Sequence, residues 1–363
     1  TERYDNNCVR CSINIPENSL KQKRELNTSE WKRIIKQAAD LGVLRIRFTG
    51  GEPLLRKDFS ELYLFARKLG IKVIIFTNAR KITSEIAKLL SEIPPLGKIE
   101  VSVYGMRRES YEKISRVPGS YKEFRSGIDL LLKYNIPFIV KGILLPDNLV
   151  EKEEFESWAS TLPWMDQPPS YSSNFELRER RDSNSKNRMI DSLRNEPDDP
   201  VGVYSENREL TKSKIDFMTK FIGPPGPELF SCGAGQSGSV DAYGFIHPCL
   251  TLKADEYSYN LKTGTIKEAV FEFFPGKLNV KATNPEYLKK CSKCFLKGLC
   301  LQCPSRAWSE NGTFDSPVEY LCKVAHKEAQ DLGLLKGDEK GWEVTDWKER
   351  IKKLEEKGND RDR

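Results

Sequence analysis

Cysteine is the residue most able to do chemistry in this 363-residue chain, and its nine copies fall into two groups. Cys8 and Cys11 form a C-x2-C near the start. The other seven lie within 91 residues. Cys232 and Cys249 make C-x16-C with Gly244 between them, Cys291, Cys294, Cys300 and Cys303 make C-x2-C-x5-C-x2-C, and Cys322 follows. An odd number of thiols, mostly in C-x2-C pairs, points to metal or iron–sulfur ligation rather than disulfides. Taken alone, Cys8 and Cys11 suit a zinc half-site, a redox pair or half of an iron–sulfur site. Seven thiols exceed one tetrahedral site, so the later block calls for two centres, or one complete and one with an open position. Zinc ribbons use the same spacings. The two histidines, His247 and His326, are too few for histidine-based metal catalysis.

A second motif is Gly50-Gly51-Glu52-Pro53, directly after a β-branched run. Paired glycines let a backbone approach a ligand closely, and a glutamate can accept from an ammonium group. A structural tight turn explains the same four residues. Thr77 and Asn78 after the next apolar run, and Ser102 on the one after that, are placed like site residues of an α/β fold. Asp241 and Tyr243 could form an acid/base pair, although a turn before Gly244 accounts for them more simply. No side chain is singled out as catalytic.

The elements that must hold these residues alternate in the first 150 positions. Helical periodicity at 28–41, 57–69, 83–92 and 120–134 alternates with apolar runs at 44–49, 72–77, 98–105 and 137–145. Val- and Ile-rich runs alternating with helices imply parallel βα units, in a doubly wound sheet or a barrel. A further helix is expected at 151–163. The stretch 164–230, rich in Pro, Ser, Asn, Asp and Arg, reads as a bridge with a helix near 186–195, ending in the Pro- and Gly-rich turn at 223–227. The cysteine-rich region that follows has few periodic segments and needs its metal centres to fold stably. An amphipathic charged helix is expected over 340–363. The domain bounds read as 1–165, a bridge at 166–227, a cysteine-rich domain at 228–332 and a helical tail at 333–363.

Charge and hydropathy exclude some classes. The net charge is +6 with both signs interspersed, which argues against a nucleic-acid partner. No apolar run approaches the roughly 20 residues that span a bilayer. With no signal peptide in view, a reducing cytoplasmic location is expected. The opening at Thr1 rather than methionine suggests that an upstream segment, with a first barrel strand, has been removed.

The order Tyr4-x3-Cys8-x2-Cys11, then GGEP, then a seven-cysteine block resembles the radical S-adenosylmethionine (SAM) enzymes with a C-terminal SPASM domain. Cys232-x11-Gly244-x4-Cys249 matches that domain's opening. The central block departs from the family's pattern by one residue, between Cys300 and Cys303. The resemblance implies an α/β fold, a partial (β/α)6 TIM-like barrel with a small cysteine-rich domain carrying two auxiliary iron–sulfur clusters. It implies SAM beside a [4Fe–4S] cluster, whose electron cleaves SAM to a 5′-deoxyadenosyl radical that abstracts a substrate hydrogen. Gly50, Gly51, Glu52 and Pro53 would then hold the methionine amine, Ser102 the ribose and Arg116 the SAM carboxylate. Cys8 and Cys11 would bind the first cluster. Cys291, Cys294, Cys300 and Cys322 would hold one auxiliary cluster, and Cys232, Cys249 and Cys303 the other.

By the same resemblance the protein is an oxidoreductase or maturase acting on a peptide or protein substrate, supplied with electrons by a flavodoxin or ferredoxin. Leu250 stands where sulfatase maturases carry an acidic residue, which argues against that substrate. Tyr4 stands where the family has its first cluster cysteine. A phenol is a poorer ligand for iron than a thiolate, being neutral below about pH 10. It is an unusual oxygen ligand, a mark of a degenerate site, or a substitution on an active background. The alternative to an enzyme is a non-catalytic iron–sulfur electron carrier or scaffold of the same fold, and a zinc-binding interaction protein is a third class.

Overall fold

The computed structural model describes residues 1–8, 15–16, 20–172, 192–197 and 208–360. The chain divides into two compact units. The first comprises residues 1–173, 235–250 and 254–275, and the second 174–234, 251–253 and 276–363.

The first unit is built on five parallel strands, β3 (Arg45–Phe48), β4 (Lys72–Thr77), β5 (Ile99–Val103), β6 (Phe138–Ile143) and β7 (Ser170–Ser172), which lie side by side in sequence order. Two-residue strands β1 (Arg3–Tyr4) and β2 (Ile15–Pro16) pair separately, also in parallel. Helices α1 (Thr28–Asp40), α2 (Phe59–Lys68), α3 (Ser84–Glu92), α4 (Arg108–Ser115), α5 (Ser120–Lys133) and α6 (Lys152–Ser160) fill the first unit's connections. Right-handed crossovers in a sheet whose order never reverses put the crossover helices on one face. The other face is then free to curl inward, so the strand order selects the barrel-like arrangement over the doubly wound one.

Local chemistry sets these boundaries. The Asn27 side chain accepts from Glu30 N at 3.0 Å while Asn27 N donates to Glu30 Oε2 at 2.8 Å, a reciprocal cap that starts α1. Gly42, at φ +78°, ends it. The helix buries Ile34, Ile35 and Ala38. On the helix-covered face of the sheet Val73, Ile75, Val101, Val103, Phe138 and Val140 are at most 2% exposed. Burial of each such side chain stabilises the fold by roughly 1.5–3 kcal/mol. The opposite face carries Arg47, Phe76, Glu100, Ser102 and Lys141, none of them fully buried.

A three-stranded antiparallel sheet, β8 (Ser239–Val240), β9 (Phe245–His247) and β10 (Tyr259–Asn260), belongs to the same unit. Leu26 N donates to Ala242 O at 2.8 Å and Arg33 to Leu261 O at 2.6 Å, so this small sheet is bonded to α1 and the segment before it.

The second unit contains α7 (Arg208–Phe221), α8 (Pro304–Asn311), α9 (Glu319–Asp331) and α10 (Trp347–Asp360). Met218, Phe295, Leu296, Leu299, Ala325, Leu334, Ile351 and Leu354 form its apolar core, with Cys294 and Cys300 packed against it. Phe295 stacks on Trp347 with ring centroids 6.1 Å apart. This unit therefore has apolar packing of its own beside its thiols. The expected helix over 340–363 is shorter, beginning at Trp347. Of the helix expected near 186–195, residues 186–191 lie outside the described residues and 192–195 run through a turn into irregular chain. Arg194 and Asn195 there bond to Glu310 and Tyr320, and such anchoring does not require helical backbone. Among the described residues no helix is long and apolar enough to cross a membrane.

Gly127 tests the packing of α5. A Cβ there would come within 2.0 Å of Ala79 O, a backbone atom in a loop already at φ +64°. Gly127→Ala gains about 1 kcal/mol of helix propensity but overpacks a rigid contact at about 1–3 kcal/mol. We expect a net loss of stability, read as a lower denaturant midpoint by far-UV circular dichroism.

Candidate functional site

The loop after β3 carries the GGEP residues. Gly50 has φ +133°, and a Cβ there would lie 1.9 Å from Thr1 O. At Gly51 a Cβ would lie 1.8 Å from Arg3 O. Gly51 N donates to Thr1 O at 2.9 Å and Glu52 N to Arg3 O at 2.8 Å. The glycines thus admit the chain's own N-terminal segment, a close approach the sequence reading assigned to a ligand. Tyr4 Oη donates to Gly50 O at 2.8 Å, so this phenol holds the GGEP loop as a proton donor.

Glu52 is 1% exposed. Its Oε1 accepts from Leu54 N at 3.1 Å and Thr77 Oγ1 at 2.9 Å, and its Oε2 from Asn78 N at 2.9 Å. Pro53 follows as the first residue of a short 3-10 turn. Burial, reinforced by the charge of Asp5, pushes the Glu52 carboxyl up to about 7, against the pull of its three donors. A carboxylate offers about four acceptor positions, so one remains for a ligand.

Asn78 extends the connection, its Nδ2 donating to Asp5 Oδ1 at 2.7 Å. Arg80 donates to Asp5 O at 2.6 Å and to the Asn6 side chain, and pairs with Glu123. Asn7 N donates to Ser115 O at 2.9 Å. Asp5, Arg80 and Ser115 thereby anchor the segment leading to Cys8. None was marked by the sequence, since the bonds that tie them to the N-terminal segment span 73 residues or more. Cys8 is buried, and its charge is among the influences that hold the Tyr111 phenol well above its ordinary range, after burial itself. Cys11 lies outside the described residues.

Ser102 is half-buried on the inward face of β5, in register with Lys141 of β6. Lys141 pairs with Glu100, and the cations of Lys141 and Arg47 each lie 5.6 Å from the Phe76 ring centroid. Arg116 is exposed, in the left-handed conformation that ends α4. Asp241 accepts from Tyr243 N at 2.9 Å and Phe245 N at 3.0 Å, and sits 3.4 Å from His247 Nε2. It therefore organises the turn at Gly244 rather than pairing with Tyr243 as an acid and base. Cys249 follows this hairpin, in the first unit.

In the second unit a cavity of about 630 Å³ is lined by Cys232, Cys291, Cys294, Cys300, Cys303 and Cys322. Cys291 and Cys294 flank a 3-10 turn, Cys303 caps α8 and Cys322 lies on α9. Burial pushes Cys291 and Cys294 up to about 12, and raises Cys300 and Cys322 as well. Charge on Cys322 also disfavours ionisation of Cys291, Cys294 and Cys300. Backbone N–H groups of Leu296 and Gln302 oppose this at Cys294 and Cys300. These four thiols are thus within reach of one another's charge. A bound cationic cluster would reverse the burial penalty and make them ligands. Four thiols within reach of one another's charge, set around one cavity, fit the all-thiolate ligation of an iron–sulfur cluster.

A folded-state value near 7 for Glu52 against an ordinary value of 4.5 means that the native protein holds a proton the unfolded chain has released. This contribution is full below about pH 4.5 and is lost as pH rises through about 7. Its size is on the order of 3 kcal/mol. Glu52→Gln is expected to flatten that slope, measured as urea midpoints at pH 5 and pH 8.

Residues 5–159 match the family model described as the Radical SAM superfamily. The AdoMet-dependent heme synthase of Methanosarcina barkeri (strain Fusaro / DSM 804) is 24% identical over 85% of this chain and 90% of that protein. The PqqA peptide cyclase of Rhizobium meliloti (strain 1021) is 32% identical, over 42% of this chain and 40% of the cyclase. The solved structure of native anSMEcpe with bound AdoMet and Kp18Cys peptide has a TM-score of 0.63 at 15% identity, covering 98% of this chain and 97% of that one. That likeness gives the same fold over nearly the whole length, and residues 5–159 are similar to the radical SAM superfamily.

Proposed function

We propose that this protein is a radical SAM enzyme that removes a hydrogen from a peptide or protein substrate and so modifies it. The observation that carries the reading is the radical SAM match over residues 5–159, which spans the segment before Cys8, the GGEP loop and strands β3 to β6. The peptide class rests on the similarity to a protein named as a peptide cyclase and on the shared fold with a structure that contains a peptide. A tetrapyrrole substrate is the second reading, favoured by the alignment to a heme synthase over 85% of this chain.

When bound, SAM and its [4Fe–4S] cluster supply a carbon-centred radical able to take a substrate hydrogen. The chain's own residues bind and orient. Gly50, Gly51, Glu52 and Pro53 receive the methionine amine at the remaining acceptor position of Glu52. Ser102 on the inward face of β5 faces the ribose, and Arg116 meets the carboxylate. Cys8 and Cys11 ligate the cluster beside SAM. Cys291, Cys294, Cys300 and Cys322 hold one auxiliary cluster, and Cys232, Cys249 and Cys303 serve another. The electron comes from an external flavodoxin- or ferredoxin-like donor, in the cytoplasm.

Tyr4 does not fit as a thiolate, and its phenol is engaged at Gly50 O. Tyr4→Cys, reconstituted anaerobically beside the unaltered protein, is expected to raise N-terminal iron loading and 5′-deoxyadenosine release at least tenfold. Equal iron and equal release would remove Tyr4 as the limiting residue. The substrate class is tested by mass spectrometry with peptides encoded beside the gene and with iron coproporphyrin. Loss of hydrogen mass from a peptide supports the proposal, and turnover of the porphyrin alone transfers it to the second reading.

A further inference from the structure

We propose that His326 is a positioning residue for the auxiliary cluster, its Nδ1–H donating to Cys322 Sγ and raising that cluster's reduction potential. The inference rests on the reading that Cys291, Cys294, Cys300 and Cys322 hold an iron–sulfur cluster.

His326 follows Cys322 by one helical turn on α9, so the two side chains share a face. Its Nδ1 lies 2.8 Å from Cys322 O and 3.5 Å from Cys322 Sγ. The other ring nitrogen decides the protonation state. Gly341 N is 3.0 Å from Nε2, and a backbone N–H can only donate. Nε2 must therefore present its lone pair, which leaves the ring proton on Nδ1, shared between the carbonyl and the sulfur. A doubly protonated ring would set two N–H groups against each other at Gly341. Trp342 meets the imidazole edge-on at 5.3 Å and fixes its plane. Both His326 and Trp342 line the cysteine cavity.

The consequence follows from charge. Reduction adds an electron whose density spreads over the cluster and its thiolate sulfurs. An N–H aimed at one of those sulfurs stabilises the reduced state more than the oxidised one. The donor faces Sγ before any metal arrives, held by backbone on one side and an aromatic ring on the other, so little reorganisation is needed on reduction.

The test uses the full chain in a Cys8→Ala, Cys11→Ala, Cys249→Ala background, which removes ligands from the other two cluster sites. Midpoint potential is read by electron paramagnetic resonance during redox titration, with iron and sulfide quantified. His326→Phe keeps a planar ring against Trp342 but has no N–H, whereas His326→Gln keeps a donor. Expected is a three- to tenfold rise in the oxidised-to-reduced ratio at fixed potential for His326→Phe, tenfold being about 59 mV for one electron. Iron content should be unchanged, and His326→Gln should recover most of the shift. An unchanged potential in His326→Phe overturns the proposal. So do equal shifts in both variants, or loss of the cluster from both, since each assigns the effect to the ring and not its N–H. An absence of iron and of absorbance near 400 nm in the background protein itself would instead defeat the four-cysteine reading beneath it.

Discussion

The buried Glu52 carboxylate is the interaction on which the barrel end of this protein depends. Three donors from two loops converge on it, and the same loops reach the segment leading to Cys8 through Asn78 and Arg80. A carboxylate removed from water is costly unless its lone pairs are filled. Here the filling groups are the ones that define the site: the GGEP loop, the end of β4 and, through Asn78, Asp5. Loosening any one exposes a vacancy on Glu52, so the N-terminal segment, the glycine loop and the sheet edge hold or fail together. Gly50 and Gly51 are part of the same constraint, because any side chain there would push Thr1 and Arg3 away.

The cysteine cavity obeys the opposite logic. Cys294 and Cys300 pack against a core of Phe295, Leu296, Leu299 and Ala325, and desolvation holds them, Cys291 and Cys322 toward the neutral form. Neutral thiols need no counter-charge, so the site is tolerable without metal, and it becomes a strong binding site once a cation favours the thiolates. Apolar packing and metal ligation thus share the work of stabilising the second unit. The barrel-end site and the cysteine cavity are different electrostatic devices. One sets fixed donors against the burial of a carboxyl that is pushed toward its neutral form, and the other keeps potential charges latent.

Much of the architecture was legible locally. Strands at 72–77 and helices near 28–41 and 83–92 came within a few residues of those observed, because Val and Ile alternation and caps such as Asn27 act over short range. α4 and β7 are among the elements that escaped. The α4 segment is short and mostly charged, so it offers little periodicity, and β7 is three residues inside a Pro- and Ser-rich stretch. Both exist because a neighbour completes them: β6 pairs with β7, and Tyr111 of α4 stacks on Phe124 at 5.0 Å. The site was half legible. GGEP and the cysteine spacings stood out, whereas Asp5, Arg80 and the role of His326 did not.

The cysteine pattern, the βα alternation and the GGEP motif determine by themselves the superfamily-like plan and the thiols available for clusters. They do so because ligand spacing and hydrophobic period are properties of neighbouring residues. What the glycines approach, which donors fill Glu52, whether Asp241 is an acid or a turn, and which nitrogen of His326 bears the proton were decided by tertiary structure alone. Each depends on a partner brought close by folding, Thr77 to Glu52 across 25 residues and Gly341 to His326 across 15. Local periodicity carries no record of such a partner's hydrogen-bonding direction.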